Sequence, residues 1–329
     1  RLIDYLHHAA KGARRRLQVR LVKGAYWDTE IKRAQVGGLS DFPVFTRKAN
    51  TDLSYLACAH LMMNAKGYIY PMFGTHNAHT AAAIIEMARD ADATFEFQAL
   101  YGMDRGLYDI LKQDGANHVG LYAPVGPYEE LLPYLVRRLL ENGANSSFVN
   151  HILDLDAPVE NLVRDPVDNA EQAPSKRHSR IALPPALYEN EKPFGRRNSA
   201  GVDLSDPQAV EPLLRDIKNY DRTYDAPVYI GGKFYKDTVA QEVKNPADYS
   251  DNLGRVWPGN KGLADKAFRI AREAFPAWQA LSADKRAACL ERFADLLQQR
   301  RAEFMSLCVR EAGKTIPDAL AEIREAIDY

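Results

Sequence analysis

The chain has 329 residues, 46% of them hydrophobic and 26% charged, with a formal net charge of -1. That balance excludes a disordered tail and a polyanion-binding surface, and it bounds the chain as globular, with two folding units or one large unit plus part of another. Cys58, Cys289 and Cys308 are too few and too scattered for a disulfide framework or a Cys-x-x-Cys metal site, which fits a reducing, cytoplasmic setting.

No apolar run approaches the roughly 18 residues of a membrane span. The opening stretch, "RLIDYLHHAAKGARRR", lacks the apolar segment of a signal peptide and reads as the middle of a helix. Since it also begins without methionine, the expectation is an internal piece of a longer chain. The basic run in it is short and isolated in a nearly neutral chain, so a solvated helix end is expected there rather than a nucleic-acid contact.

Four βα units follow in residues 1–150, which predicts an α/β fold with a parallel sheet. The β-like runs are "RLQVRLVKGAY" (16–26), "YIYPMFGTHN" (68–77), "FEFQALYG" (95–102) and "HVGLYAPVG" (118–126). Helical patterns fall near 28–36, 51–66, 78–90, 105–113 and 127–142. Alternation along the strands sets Leu17, Val19 and Leu21 toward covering helices, with Arg20, Val22 and Gly24 opposite. Phe95 and Phe97 oppose Glu96, Gln98 and Leu100, and Val119 and Leu121 oppose Gly120 and Tyr122. Isolated polar groups thus gather near the C-terminal strand ends, where α/β enzymes build their sites.

Residues 151–225 shift to Asp, Pro, Asn and Arg and read as a linker, with one helix in which Asp206 caps and Pro207 takes the first position. From 226 a hairpin-like "APVYIGGKFYKDT" leads to helices. In the first, Ala267, Ile270, Ala271, Ala274, Phe275 and Trp278 recur at helical spacing and predict a buried face. Further helices are expected near 283–298 and 300–312, then one opened by Pro317.

The helix "YLVRRLLENGAN" places Leu132, Leu135, Val136, Leu139 and Leu140 on one stripe and Arg137, Arg138 and Glu141 outside it. Two readings stay open. The charges can pair along a solvated helix, or two guanidinium forks can hold a carboxylate with Glu141 orienting one of them. "GTHNAHT" carries His76 and His79 without a third metal ligand at a recognisable spacing, so turn or capping roles for Thr75 and Asn77 are favoured over a metal site. "CVREAGKT" has Cys308 where a phosphate-binding loop needs glycine, and no G-x-G-x-x-G occurs.

Taken together, "VRLVKGAYWDTEIKRAQ", "FTRKANTDLSYLACA", "GTHNAHT", "FEFQALYGM", "YAPVG" and "YLVRRLLENGANSSFVN" resemble the proline dehydrogenase domain of the bifunctional proline utilization A flavoenzymes. From about 226, "NPAD", "AFPAWQALSADKRAACLERFADLL" and "REAGKT" resemble the start of the aldehyde dehydrogenase domain of the same proteins. The resemblance implies the C-terminal half of a distorted (β/α)8 barrel at 1–150, a linker at 151–225, and at 226–329 the mainly helical beginning of an aldehyde dehydrogenase domain. It implies FAD-dependent oxidation of L-proline to 1-pyrroline-5-carboxylate, then NAD-dependent oxidation of glutamate semialdehyde to glutamate. Electrons would leave to a membrane quinone, with peripheral contact at the inner membrane, in a homo-oligomer.

By the same resemblance Arg137 and Arg138 bind the proline carboxylate, Tyr122 and Leu100 shape the pocket, and Tyr26 packs against the substrate. Arg20, Val22, Lys23, Gly24, Ala25, Tyr26, Trp27, Thr46, Lys48, Thr75, His76, Asn77, Gln98, Glu141, Ser147 and Phe148 match FAD contacts of the family, and no metal is implied. The family's first four barrel strands and the NAD-binding region, catalytic cysteine and catalytic glutamate of its second domain have no counterpart in the sequence. The expectation is therefore a fragment with little activity of its own. Two rival readings are a non-catalytic assembly module built on the C-terminal helices and a metal-dependent barrel hydrolase built on His76 and His79.

Overall fold

The computed structural model describes residues 1–24, 26–101, 106–116, 118–143, 164–173, 175–192 and 195–329, and for 138–143 the backbone alone. The chain forms two compact units, residues 1–27 with 44–181 and residues 28–43 with 182–329.

The first unit is built on strands β1 (Leu17–Leu21), β2 (Ile69–Phe73), β3 (Glu96–Leu100) and β4 (Val119–Tyr122), parallel and in the order β1-β2-β3-β4. Register pairs Arg20 with Met72, Phe73 with Phe97, and Leu100 with Tyr122. All four strands therefore end on one side, and the connections after them gather there. Helices α1 (Leu2–Ala13), α3 (Lys48–Asn64), α4 (Ala78–Ala91) and α5 (Gly106–Gln113) supply the covering layer; α6 (Tyr128–Gly143) follows β4, and α7 (Pro166–Glu171) packs on α3.

Alternation along the strands decides which face the helices cover. Ile69, Phe73, Phe97 and Ala99 are buried, and Val19, Leu21 and Val119 pack beside them, as the period-2 pattern predicts. On α3, Tyr55, Ala59, Met62 and Met63 are buried at helical spacing. Phe73, Phe95 and Phe97 form an aromatic cluster with centroids 5.1 to 6.5 Å apart, in which Phe95 meets the other two edge-on. Leu121 departs from the pattern: it is 53% exposed on the outer strand β4.

Helix α6 also departs from expectation. The described members of its apolar stripe, Leu132, Leu135 and Val136, are exposed. Amphipathic spacing records which face wants cover, while burial needs a partner surface that the described residues do not supply.

The second unit contains most of α2 (Trp27–Val36), a short 3₁₀ turn and α8 (Pro207–Lys218), in which Asp206 accepts the Gln208 amide at 2.9 Å and Pro207 opens the helix. Strands β6 (Val228–Ile230) and β7 (Lys233–Tyr235) pair through Gly231 and Gly232, both at positive φ, the turn chemistry a two-residue hairpin requires. Strands β5 (Tyr224–Ala226), β8 (Gln241–Asn245) and β9 (Asp248–Val256) form a second small sheet in the order β5-β9-β8.

Helices α9 (Lys261–Gln279), α10 (Ala283–Gln299), α11 (Arg301–Ala312) and α12 (Ile316–Asp328) complete this unit. Its core joins Leu213 and Ile217 of α8 to Met305, Ala319, Leu320 and Ile323. The predicted buried face of α9 is not buried: Phe275 is 57% and Trp278 44% exposed, and Leu263 alone is buried among its residues. Among the described residues no helix is long and apolar enough to cross a membrane.

Candidate functional site

The C-terminal end of β1 delivers Arg20, Val22, Lys23 and Gly24. Gly24 has φ +88°, a left-handed conformation that glycine adopts without steric cost. Arg20 leans across the sheet and lies 5.7 Å from the centroid of Tyr122 at the end of β4. Space for this lean comes from Gly74, where a Cβ would sit 3.2 Å from both Arg20 Nη2 and Val22 Cγ1. Tyr122 is itself 6.5 Å from Tyr134 of α6, centroid to centroid.

Lys23 turns the other way, toward the helices. Its Nζ donates to Asp52 Oδ1 at 2.6 Å and Thr80 Oγ1 at 3.1 Å and lies 5.4 Å from the Tyr55 ring centroid. Lys48 Nζ donates to the other oxygen of the same carboxylate at 2.7 Å. Burial pulls the Lys23 ammonium below its ordinary range, against the hydrogen bond and charge of Asp52. Burial alone would raise the Asp52 carboxyl, but the hydrogen bonds and charges of Lys23 and Lys48 together hold it below the usual range.

At the end of β2, Thr75 Oγ1 accepts the Asn77 amide at 3.2 Å, and Asn77 Oδ1 caps α4 by accepting the Thr80 amide at 2.9 Å. The turn and capping roles read from "GTHNAHT" are thus the ones observed. Tyr108 donates to the Thr75 carbonyl at 2.7 Å, and its ring meets His76 edge-on at 5.4 Å. Burial pushes the Tyr108 phenol up to about 12 and Tyr55 up as well, while the Arg20 charge works against both shifts. Among the described residues no three His, Cys, Asp or Glu side chains group closely enough to hold a metal ion.

Strand β3 presents Gln98, whose amide donates to Glu96 Oε1 at 3.0 Å and to Met72 Sδ at 3.2 Å. Glu96 in turn lies over Gly120, where a Cβ would come within 2.6 Å of Oε1. Leu100, half-buried, closes β3 opposite Tyr122.

Across the strand ends stands α6. Arg137 donates to the Tyr26 hydroxyl, and its guanidinium carbon lies 4.5 Å from the Tyr26 ring centroid. Trp27 Nε1 donates to the Phe45 carbonyl at 2.7 Å, and Thr46 Oγ1 accepts the His178 amide at 3.0 Å. Val22, Tyr26, Trp27 and Tyr122 are each 43 to 53% exposed, so apolar and aromatic faces stand open near Arg20 and Arg137.

The structure therefore joins Arg20 to Tyr122, Tyr26 to Arg137, and Lys23 to Lys48 through Asp52. Ala25, Ser147 and Phe148, and the side chains of Arg138 and Glu141, lie outside the described residues. Asp52, Thr80, Tyr55, Tyr108 and Gly74 were not singled out by sequence. For Asp52 a signal existed in its position four residues after Lys48 on a helix; for the others only the fold brings the partners together.

Residues 1–151 match the proline dehydrogenase family and residues 235–329 the aldehyde dehydrogenase family. The whole chain aligns with the bifunctional protein PutA of Klebsiella aerogenes at 43% identity and with that of Rhizobium meliloti at 42%. It spans about a quarter of these relatives' length, 26% and 27%. Among solved structures, a variant of Bradyrhizobium japonicum PutA matches at 44% identity with a TM-score of 0.79, over 99% of this chain and 30% of that one. A Bdellovibrio bacteriovorus PutA inactivated by N-propargylglycine matches at 28% identity with a TM-score of 0.81, over 99% of this chain and 33% of that one.

Proposed function

Residues 1–151 belong to the proline dehydrogenase family and residues 235–329 to the aldehyde dehydrogenase family, in a chain that aligns throughout with bifunctional PutA, and we propose that it carries the flavin and carboxylate side of an L-proline oxidation site. The fold is accordingly α/β, a parallel-sheet portion of the proline dehydrogenase barrel followed by the N-terminal region of an aldehyde dehydrogenase. The division we propose is 1–150 for the barrel portion, 151–225 for a connecting stretch whose helix α8 packs into the core of the second unit, and 226–329 for the aldehyde dehydrogenase portion.

The observation that carries this reading is the seating of Arg137 against Tyr26 at the C-terminal ends of parallel strands. A guanidinium held by an aromatic face keeps N–H donors for a carboxylate, and its planar fork matches both oxygens. Arg138, the next residue on the same helix, would share that carboxylate. Tyr122 and Leu100, paired at the ends of β4 and β3, would bound the ring of the substrate.

The residues present fit FAD. Arg20, Lys23 and Lys48 offer cations for an anionic dinucleotide, Gly24 and Gly74 keep backbone and side chains close without clash, and Trp27 and Tyr26 offer apolar faces to a flat ring. When bound, FAD would supply the acceptor for the two electrons that leave proline as its C–N bond becomes C=N. The chain's own residues would do the rest: Arg137 and Arg138 fix the carboxylate, and Tyr26 and Tyr122 limit how the ring lies. The assigned FAD contacts at Val22, Ala25, Thr46, Thr75, His76, Asn77, Gln98, Glu141, Ser147 and Phe148 belong to the same proposal.

For a whole protein of this kind we propose subsequent NAD-dependent oxidation of glutamate semialdehyde to glutamate, a membrane quinone as electron acceptor, homo-oligomeric assembly and a cytoplasmic setting at the inner membrane. The test is a PutA in which this chain replaces the aligned quarter of the Klebsiella aerogenes protein. The graft is expected to bind FAD and to raise its KM for L-proline on Arg137→Ala; an unchanged KM would remove the clamp. A folded graft that takes up no flavin would favour the assembly-module reading.

A further inference from the structure

Asp52 joins α3 to the stretch after β1 and, through Lys23, to α4. It sits in the first turns of α3, its Oδ1 accepts from Lys23 after β1, and its Oδ2 accepts from Lys48 one turn earlier on α3. Lys23 gives a second N–H to Thr80 in the first turn of α4, so its ammonium is fixed by two helices at once. The Lys23 and Asp52 side chains are only 23% and 18% exposed, whereas Lys48 keeps 55%. A solvated intrahelical pair accounts for Lys48 alone, because Lys23 lies 29 residues before Asp52 on another element.

We propose that Asp52 is a positioning residue: one oxygen for each lysine sets Lys23 and Lys48 as a spaced pair of cations for the phosphates of a dinucleotide, and through Lys23 it anchors the chain just after β1, three residues before Tyr26, the partner of Arg137. The inference rests on the FAD reading and deepens it. The cluster keeps one net positive charge, and the two ammonium groups, which repel each other, are held at a fixed spacing before any ligand arrives. Lys23 and Tyr26 are then each held, the first by Asp52 and the second by Arg137.

Two effects of Asp52 on phosphate binding oppose each other, which makes the inference decidable. Its negative charge repels a phosphate, so as a mere charge its removal would tighten FAD binding. As the group that orders two cations, its removal loosens FAD binding. Asp52→Asn, nearly the same shape, separates the two cases.

In the PutA graft, Asp52→Asn is expected to weaken FAD binding about tenfold by flavin fluorescence, to speed hydrogen exchange of the amides in 22–27, and to be partly rescued by Asp52→Glu. Unchanged or tighter FAD binding in Asp52→Asn overturns the inference. So does a lower melting temperature with unchanged exchange in 22–27, since that marks a purely structural role. If the unsubstituted graft folds but holds no FAD, the flavin reading itself fails and the phosphate role falls with it. FAD uptake by the unsubstituted graft with equal affinity in Asp52→Asn removes only Asp52.

Discussion

Tyr26 and Arg137, 111 residues apart, meet with the guanidinium donating to the phenol oxygen and its carbon 4.5 Å from the ring centroid. One residue comes from the turn after β1 and the other from the helix after β4, so the pair spans the mouth of the sheet. A fork with five donors in fixed geometry can serve the phenol and a substrate carboxylate together, which a single ammonium does less well.

Arg137→Lys in the PutA graft is accordingly expected to lower kcat/KM for L-proline by about 2 kcal/mol, the scale of a charge-assisted hydrogen bond. Tyr26→Phe, which keeps the ring and loses the hydroxyl, should cost about 1 kcal/mol. Steady-state kinetics of the two variants gives the order; equal or reversed losses would contradict the geometry.

Gly24 offers a prediction independent of catalysis. A Cβ there meets nothing within 4 Å, so crowding is absent, but φ is +88°. Gly24→Ala should destabilise the first unit by about 1 kcal/mol through backbone strain alone. Urea unfolding measures it, and a neutral or stabilising result would mean the turn has another conformation in solution.

Two buried phenols make stability sensitive to alkali. Burial pushes the Tyr108 phenol up to about 12 and raises Tyr55 as well. An unfolded tyrosine ionises near pH 10, so their contribution is complete below that value and is lost as pH rises through the folded range. Absorbance titration should therefore show these two ionising only with unfolding, which Tyr108→Phe would shift upward in pH.

In the second unit, Glu303 is 3% exposed and accepts from Arg222 at 2.6 Å and Arg300 at 2.8 Å. The Arg300 hydrogen bond, with Arg222 beside it, holds the carboxyl below its ordinary range against burial. Its contribution is thus present above the usual glutamate pKa and lost as pH falls through the folded value. Glu303→Ala should cost about 2 kcal/mol, discounted because both arginines regain water, and the variant's stability should depend less on pH below the ordinary glutamate pKa.

The parallel sheet, its covering helices and the polar strand ends were legible because each follows from local period and turn chemistry. Arg20 and Tyr122, assigned singly, turn out to be neighbours because the register aligns the ends of the parallel strands. For Asp52 only the pairing with Lys48 was legible, from their helical spacing; its bond to Lys23 depends on α3 and the stretch after β1 converging. The exposure of Phe275, Trp278 and the α6 stripe was not legible either, because an apolar face announces a need for cover and not whether cover is present.

The most direct measurement is the flavin spectrum of the PutA graft under anaerobic titration with L-proline. A site that grips the carboxylate through Arg137 should carry flavin absorbance that L-proline bleaches, with the half-point moved to higher proline concentration by Arg137→Ala. A folded graft whose absorbance is missing, or is indifferent to L-proline, would contradict the account.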